Sequence, residues 1–347
     1  MELVRDEIDG LIAALPLAAL VIGRDERIHA VNDQARALLG EHLVGRHFIT
    51  ALRQPAVMDA IEDCLASQVP QVGRYLGNDG AQDTTYRVQA AWVEFAGKAG
   101  VLVSFEDVTP MERAGQMRRD FVANVSHELR TPLTAMMGFI ETLQGPARGD
   151  TAASDRFLAT MYSEANRMER LVRDLLALSR VESEERVRPN QTVDLAGLVR
   201  SVAHTLRPLL ENSEVTLDLE LPQSDTELPG DADQLRQVVT NLIENAVKYG
   251  GKGKTVTVTL SHAENDPMLR RDALLLSVRD EGPGISEIHI PRLTERFYRV
   301  DSHRSREMGG TGLGLAIVKH IVSRHRGRLR IESELGQGSV FRVILPR

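Results

Sequence analysis

Phe121-Val122-Ala123-Asn124-Val125-Ser126-His127-Glu128-Leu129-Arg130-Thr131-Pro132 lies near the middle of the chain, and its spacing organises everything around it. The apolar positions Phe121/Val122, Val125 and Leu129 continue as Leu133, Met136, Ile140 and Leu143. Steps of three and four residues predict a helix over Glu112–Leu143 with a bundle-type seam. At about 100° per residue, His127 stands about 200° away from Leu129, so its imidazole faces solvent. A neutral imidazole can attack phosphorus, and an adjacent carboxylate can orient the ring and take the proton from its other nitrogen. Glu128 is placed for that role. Pro132 removes the helical hydrogen bond to the Glu128 carbonyl and predicts a bend one turn past the histidine. The chain's other histidines, among them His29, His42 and His47, read as solvated surface residues.

Outward from this helix, Gln144-Gly145-Pro146 stops the pattern and Thr151–Ser154 offers N-cap chemistry for a second helix. That helix runs to about Ser183 on Leu158, Met161, Ala165, Met168, Val172 and Leu175. Two helices with matching stripes and a short connection make an αα-hairpin. One hairpin buries its seam poorly, whereas two copies close a four-helix bundle, so a homodimer is expected. Upstream, residues 9–108 mix strand-like runs (Ala18–Ile22, Thr85–Ala91, Gly100–Glu106) with helical stretches, an α+β domain behind a short tail, 1–8. Downstream of the charged patch Glu182–Arg188 and Pro189, a third pattern fills 190–347. Strands near Val215–Leu221, Thr255–Ser261, Leu274–Asp280, Arg328–Ser333 and Val340–Leu345 alternate with helices near Leu195–Leu210, Asp231–Tyr249 and Leu313–Arg326. The expectation is a multidomain α+β chain: an α/β sensor-like domain, a hairpin over 109–185 and a C-terminal α/β sandwich.

Composition narrows the function classes. The 347 residues are 42% hydrophobic and 26% charged, which excludes a disordered or membrane-embedded chain. A formal charge of −7 argues against nucleic acid as the main partner, because phosphate backbones demand a basic surface. The single cysteine, Cys64, allows no intrachain disulfide and suits a reducing cytoplasm; its apolar surroundings (Ile61, Leu65) read as a buried thiol. Leu11–Ile22 is too short, and is broken by Pro16, to serve as a membrane span. A cytoplasmic location follows, with any membrane association made through partners.

A second constellation lifts His127 out of the ordinary. Asn241, Glu244, Asn245, Lys248 and Tyr249 recur on one helix face, opposite Leu235, Val238/Val239, Leu242 and Ala246. Two amides and an ammonium offer oxygen ligands for hydrated Mg²⁺ and a charge partner for phosphate. Asp280-Glu281-Gly282-Pro283-Gly284-Ile285 follows a strand, where a carboxylate can accept from an adenine amino group but repels the guanine carbonyl. Gly309-Gly310-Thr311-Gly312-Leu313-Gly314-Leu315 opens a helix, and bare glycine backbone at a helix N-terminus cradles phosphate. It lacks the Gly-Lys-Ser/Thr ending of a P-loop.

Over residues 109–347 the chain resembles the sensor histidine kinases of bacterial two-component systems. His127, Glu128, Arg130, Thr131 and Pro132 match the family's H-box. Asn241 to Tyr249 match its N-box, Asp280 to Gly284 the G1 box, Glu295-Arg296-Phe297-Tyr298-Arg299 the F-box, and Gly310 to Gly314 the G2 box. Gly336-Gln337-Gly338-Ser339 resembles the last Gly-rich turn, with Ser where Thr is common. The resemblance implies a Bergerat-type ATP-binding fold that uses Mg·ATP. Asn245 would be the main Mg²⁺ ligand with Asn241 beside it, and Lys248 would approach phosphate. Tyr249 would pack on adenine, Asp280 would hold its amino group, and Gly282–Gly310 would form a lid carrying Phe297 and Arg299 toward the hairpin. It further implies that His127 is phosphorylated and passes phosphate to an aspartate of a response regulator. Thr131 would position a water for dephosphorylating that regulator.

The N-terminal domain resembles a PAS sensor more loosely, through Leu15-Pro16, Ile22, Ile28, Asn32, Ala35 and Leu38-Leu39-Gly40. Phe105-Glu106-Asp107-Val108-Thr109 fits its last strand and exit. Leu52-Arg53-Gln54-Pro55 and Arg118–Leu143 are most similar to the phosphate-regulon sensor kinases, which usually carry membrane helices that are not expected here. The rivals are a histidine kinase of another pathway, a Bergerat-fold ATPase of chaperone or topoisomerase type, and a nucleotide-sensing scaffold without transfer. The solvent-facing His-Glu pair in a bundle helix argues against the last two. Arg324–Arg330 reads as a cationic helix end rather than a DNA contact.

Overall fold

The computed structural model describes residues 9–78, 80, 83–95, 98–184, 187–300 and 310–347. The expected tail 1–8, residue Gly309 and the 301–308 portion of the expected lid lie outside them. The chain divides into two compact units, Met1–Val122 and Ala123–Arg347.

In the first unit, β1 (Ala18–Gly23) and β2 (Ile28–Val31) lead into α1 (Asp33–Leu39), α2 (Phe48–Ala51) and α3 (Pro55–Ser67). β3 (Gln71–Asn78), β4 (Asp83–Phe95) and β5 (Lys98–Asp107) complete an antiparallel sheet ordered β2-β1-β5-β4-β3. One face carries the main core of Leu20, Ile22, Phe48, Ile61, Val103 and Phe105; Ile12, Ala19 and Ala30 pack on the other. Buried Asn32 stitches the faces together. Its Oδ1 accepts from the amides of Ala35 (2.9 Å) and Ala19 (3.0 Å), capping α1, while Nδ2 donates to Leu17 O at 2.7 Å. Cys64 is a buried free thiol, and burial raises its pKa. β3 is absent from the sequence reading because Gly73 and Gly77 dilute its pattern, and Val72 and Leu76 face outward, 66% and 60% exposed.

α4 (Thr109–Gln144) leaves the sheet at a fixed corner. The Thr109 amide donates to Asp107 Oδ1 at 2.9 Å, and its hydroxyl accepts from the Thr85 amide at 2.7 Å. α4 spans Pro132 without interruption. α5 (Thr151–Ser183) is capped by Asp150, whose carboxylate accepts from Ala153 N at 3.0 Å. The cap therefore sits one residue ahead of the predicted Thr151–Ser154. Stacking of Phe139 on Phe157, centroids 5.2 Å apart, joins the two helices.

The predicted hairpin seam is only half buried in this chain. Leu133 and Ile140 on α4 are 49% and 41% exposed, and Leu158 and Val172 on α5 are 55% and 45% exposed. α5 instead buries Leu171, Leu178 and Val181, a stripe about 100° around the helix from Val172, on the helix that packs along α9 of the C-terminal domain. The helix thus has two working faces where the periodicity pointed to one.

Beyond the hairpin, β6 (Gln191–Asp194) pairs with β8 (Glu227–Gly230) in a small antiparallel sheet. β7 (Thr216–Glu220), β9 (Thr255–Asp266), β10 (Arg271–Asp280), β11 (Arg328–Glu334) and β12 (Gly338–Pro346) form a five-stranded sheet, order β11-β12-β10-β9-β7. Only the β7–β9 pair is parallel. α8 (Ala232–Gly250) and α9 (Gly314–Arg324) pack on this sheet, and α6 (Leu195–Thr205) packs on α8. The helix expected over Leu195–Leu210 breaks at Leu206, and α7 (Arg207–Asn212) starts afresh. Pro208 in its first turn lacks the amide needed to continue the earlier ladder.

Candidate active site

His127 lies on the exposed surface of α4, and among the described residues no hydrogen bond reaches its ring. Its carbonyl accepts from Thr131 Oγ1 at 3.1 Å. It is a side-chain bond back onto the carbonyl one turn earlier, on the same helix face. Glu128 is partly buried and held from two directions. Its Oε2 accepts from Arg167 of α5 at 2.7 Å and from Arg299 at 3.4 Å. Arg167 also approaches Glu164 at 3.6 Å, making a chain of alternating charge. Arg299 is 8% exposed, and desolvation lowers its pKa against the favourable pull of Glu128.

The ATP-type constellation is assembled by α8, the β10 end and the start of α9. On α8, Leu235, Val238, Val239, Leu242 and Ala246 are buried, which leaves Asn241, Glu244, Asn245, Lys248 and Tyr249 on the partly open face. Asn241 Nδ2 donates to Gly314 O at 3.3 Å, tying α8 to the α9 start. Lys248 pairs with Glu244 at 3.4 Å. Asn245 has no hydrogen-bond partner among the described residues, so its amide oxygen is available to a ligand. Neutral oxygen donors on neighbouring turns fit a hard divalent cation that keeps several waters.

Asp280 ends β10 and is 4% exposed. Burial pushes its carboxyl pKa up, opposed by the backbone amides of Gly282 and Ser339; Gly282 N lies 2.9 Å from Oδ1. The turn after it needs its glycines. A Cβ on Gly282 would stand 2.5 Å from Tyr249 O, and one on Gly284, at φ +72°, would stand 2.0 Å from Glu334 O. Ser339 Oγ lies 2.9 Å from Ser333 Oγ, so its hydroxyl is used within the last Gly-rich turn. Gly310, Thr311 and Gly312 precede α9, and Leu313 caps it with no side-chain acceptor for the first amides of the helix. Gly312, at φ +72°, lies against Phe297, whose amide donates to Gly312 O at 2.8 Å.

The hairpin and this constellation share one compact unit, and polar contacts join them. Thr311 Oγ1 donates to Asp174 Oδ2 of α5 at 2.6 Å, and Arg296 donates to Glu182 at 2.5 Å. Arg324 is 7% exposed; it donates to the carbonyls of Glu184 and Val187, each at 3.1 Å, and pairs with Asp231 at 3.2 Å. It fastens the end of the hairpin to the domain, which is more than a solvated helix end does. His325 also departs from the surface reading. It is 1% exposed, its Nδ1 donates to Ile321 O at 2.8 Å, and its Nε2 accepts from Asp231 N at 3.0 Å. Arg167, Asp174 and Glu182 escaped the sequence reading. A signal existed: Arg167 and Asp174 fall in line with Leu171, Leu178 and Val181, charges set into a buried stripe.

Two protein-family models match the chain. Residues 117–184 match the model of the His Kinase A (phospho-acceptor) domain. Residues 230–347 match that of the histidine kinase-, DNA gyrase B- and HSP90-like ATPases. Sensor protein kinase WalK of Staphylococcus aureus is 33% identical over 344 residues, 98% of this chain and 80% of that protein. The chain spans about half of the first curated relatives it matches, 55% for WalK of Staphylococcus saprophyticus. Phosphate regulon sensor protein PhoR of Pseudomonas aeruginosa is 41% identical over 240 residues, 69% of this chain and 52% of PhoR. The crystal structure of histidine kinase ThkA in complex with response regulator protein TrrA shares the fold, with TM-score 0.53, 22% identity and 97% of both chains covered.

Proposed function

The chain belongs to the sensor histidine kinases, and from that premise we propose that it phosphorylates His127 from Mg·ATP and passes the phosphoryl group to an aspartate of a response regulator. One observation carries the reading: a solvent-facing histidine stands beside a glutamate that Arg299 of the ATP-binding segment reaches within the same compact unit. In the forward step a ring nitrogen of His127 bonds to the γ-phosphorus, the bond to the β-bridging oxygen breaks, and ADP leaves. Glu128, held in this structure by Arg167 and Arg299, would turn to orient the ring and receive the proton from its other nitrogen. Asn245 and Asn241 would hold Mg²⁺, which when bound neutralises phosphate charge. Lys248 adds a positive charge, Gly310, Thr311, Gly312, Leu313 and Gly314 supply backbone amides to phosphate, and Tyr249 packs on adenine. Asp280, with Gly282 and Gly284 shaping its turn, accepts from the adenine amino group. Catalysis of this kind is positioning and charge neutralisation.

The exposed apolar residues Leu133, Met137, Ile140, Leu158 and Val172 support a homodimer in which a second copy covers them. The antiparallel β2-β1-β5-β4-β3 sheet supports a PAS-type sensor over 9–108, ahead of a phosphoacceptor hairpin at 109–185 and an ATP-binding domain at 190–347. Thr131, four residues after His127, shares its helix face and would position water for regulator dephosphorylation. For the pathway, the higher identity to PhoR supports phosphate-regulon signalling, while WalK matches nearly the whole chain and supports another two-component pathway. No helix among the described residues is long and apolar enough to cross a membrane. Incubating the labelled protein with a panel of purified receiver domains tests the reading. Rapid transfer to one subset is expected, and failure to label any receiver would count against it.

A further inference from the structure

Asp174 has no place in the forward reaction, yet it is the hairpin side chain that reaches the phosphate cradle. It stands on α5, in line with the buried stripe Leu171, Leu178 and Val181. Its Oδ2 accepts a hydrogen bond from the Thr311 hydroxyl at 2.6 Å, inside the glycine segment that opens α9. The charges of Lys248 and Glu244, on the helix face that would meet the phosphates, act on it in opposite senses, the first lowering and the second raising its pKa. Burial raises its pKa, and Glu244 adds to that effect. A carboxylate held there resembles one phosphate oxygen pair in charge and in hydrogen bonding. It satisfies the Thr311 donor and adds negative charge where a triphosphate must enter.

Building on the ATP reading above, we propose that Asp174 is an internal anion competitor: with the hairpin docked, its carboxylate holds the phosphate cradle against Mg·ATP. Nucleotide entry requires the Thr311–Asp174 bond to break, so occupancy of the cradle and release of α5 are one event. The pair at Arg296–Glu182 and the Arg324 contacts to the Glu184 and Val187 carbonyls hold the same docked arrangement, but they carry no negative charge into the cradle. Only Asp174 among these contacts makes the antagonism depend on the ligand's phosphates.

The test is calorimetric titration of the full chain with the non-hydrolysable analogue Mg·AMPPNP and, separately, with adenosine. Asp174→Asn keeps an acceptor for Thr311 and removes the charge; Asp174→Ala removes both. Both variants should bind Mg·AMPPNP about ten-fold more tightly than the wild type, as loss of a close like charge implies, with adenosine affinity unchanged. Unchanged or weaker Mg·AMPPNP binding in both variants overturns the proposal. Equal tightening for adenosine also overturns it, because adenosine carries no phosphate. If wild type and variants alike bind neither ligand, the ATP reading itself fails.

Discussion

Replacing Asp280 with Asn separates what this residue does for the fold from what it does for the nucleotide. The carboxylate is 4% exposed, and burial raises its pKa despite the amides of Gly282 and Ser339. A raised folded-state pKa means the native state binds more protons than the unfolded one in that window. Stability therefore falls as pH rises from the ordinary carboxylate value, near 4, to the raised value. Asn keeps an oxygen for the Gly282 amide, 2.9 Å away in the native protein, and removes the buried charge. The nucleotide-free Asp280→Asn protein should thus melt above the wild type at neutral pH and lose that pH slope. Its affinity for Mg·AMPPNP should drop by about 1–3 kcal/mol, the cost of a lost charged hydrogen bond, or roughly five- to 150-fold in Kd. Differential scanning fluorimetry across pH 4–8 and calorimetric titration at neutral pH measure the two effects. Unchanged affinity would refute the assignment of Asp280 to the adenine, and a lower melting temperature would refute the cost assigned to its buried charge.

Thr131→Ala removes the bond from the Thr131 hydroxyl to the His127 carbonyl and the hydroxyl offered to water. Autophosphorylation and phosphotransfer should persist while loss of phosphate from the regulator slows; equal falls in all three rates would assign Thr131 to the backbone alone. His325 is held neutral by its two bonds, and burial lowers its pKa below the usual imidazole value of about 6.5. The stability this gives is complete above that value and is lost as pH falls through it toward the depressed folded value. His325→Gln should cost about 1–2 kcal/mol at pH 7.5 and flatten the decline below about pH 6.5; an unaltered slope in denaturant melts would exclude His325 as its source.

The parts legible in the sequence are those fixed by short-range rules. Gly284 and Gly338 adopt positive φ with neighbouring carbonyls where a Cβ would sit, 2.0 Å away in each case, so glycine is dictated locally. The α8 face and the length of both hairpin helices follow from periodicity. The illegible parts depend on distant partners. Glu128 meets Arg167 and Arg299, 39 and 171 residues away, and nothing local to the His-Glu pair encodes either contact. Arg324 and His325 resembled a polar helix end until β8, α8 and the end of the hairpin closed over them. α5 was read by one apolar stripe because the second contains Arg167 and Asp174. Edge strand β3 alternates, but its inward positions include Gln71, Gly73 and Gly77 while Val72 and Leu76 face out, and the β6–β8 pair is too short to show a period.

In the proposed reaction His127 receives phosphate from ATP bound on a separate domain. Incubation with γ-labelled ATP should label the wild-type chain with an acid-labile, base-stable bond, as a phosphoramidate requires. The His127→Gln chain should carry no covalent label while binding Mg·AMPPNP with wild-type affinity, since no described contact ties the imidazole to the nucleotide residues. Labelling of the variant at the wild-type level, or a base-labile and acid-stable bond, would contradict the claim.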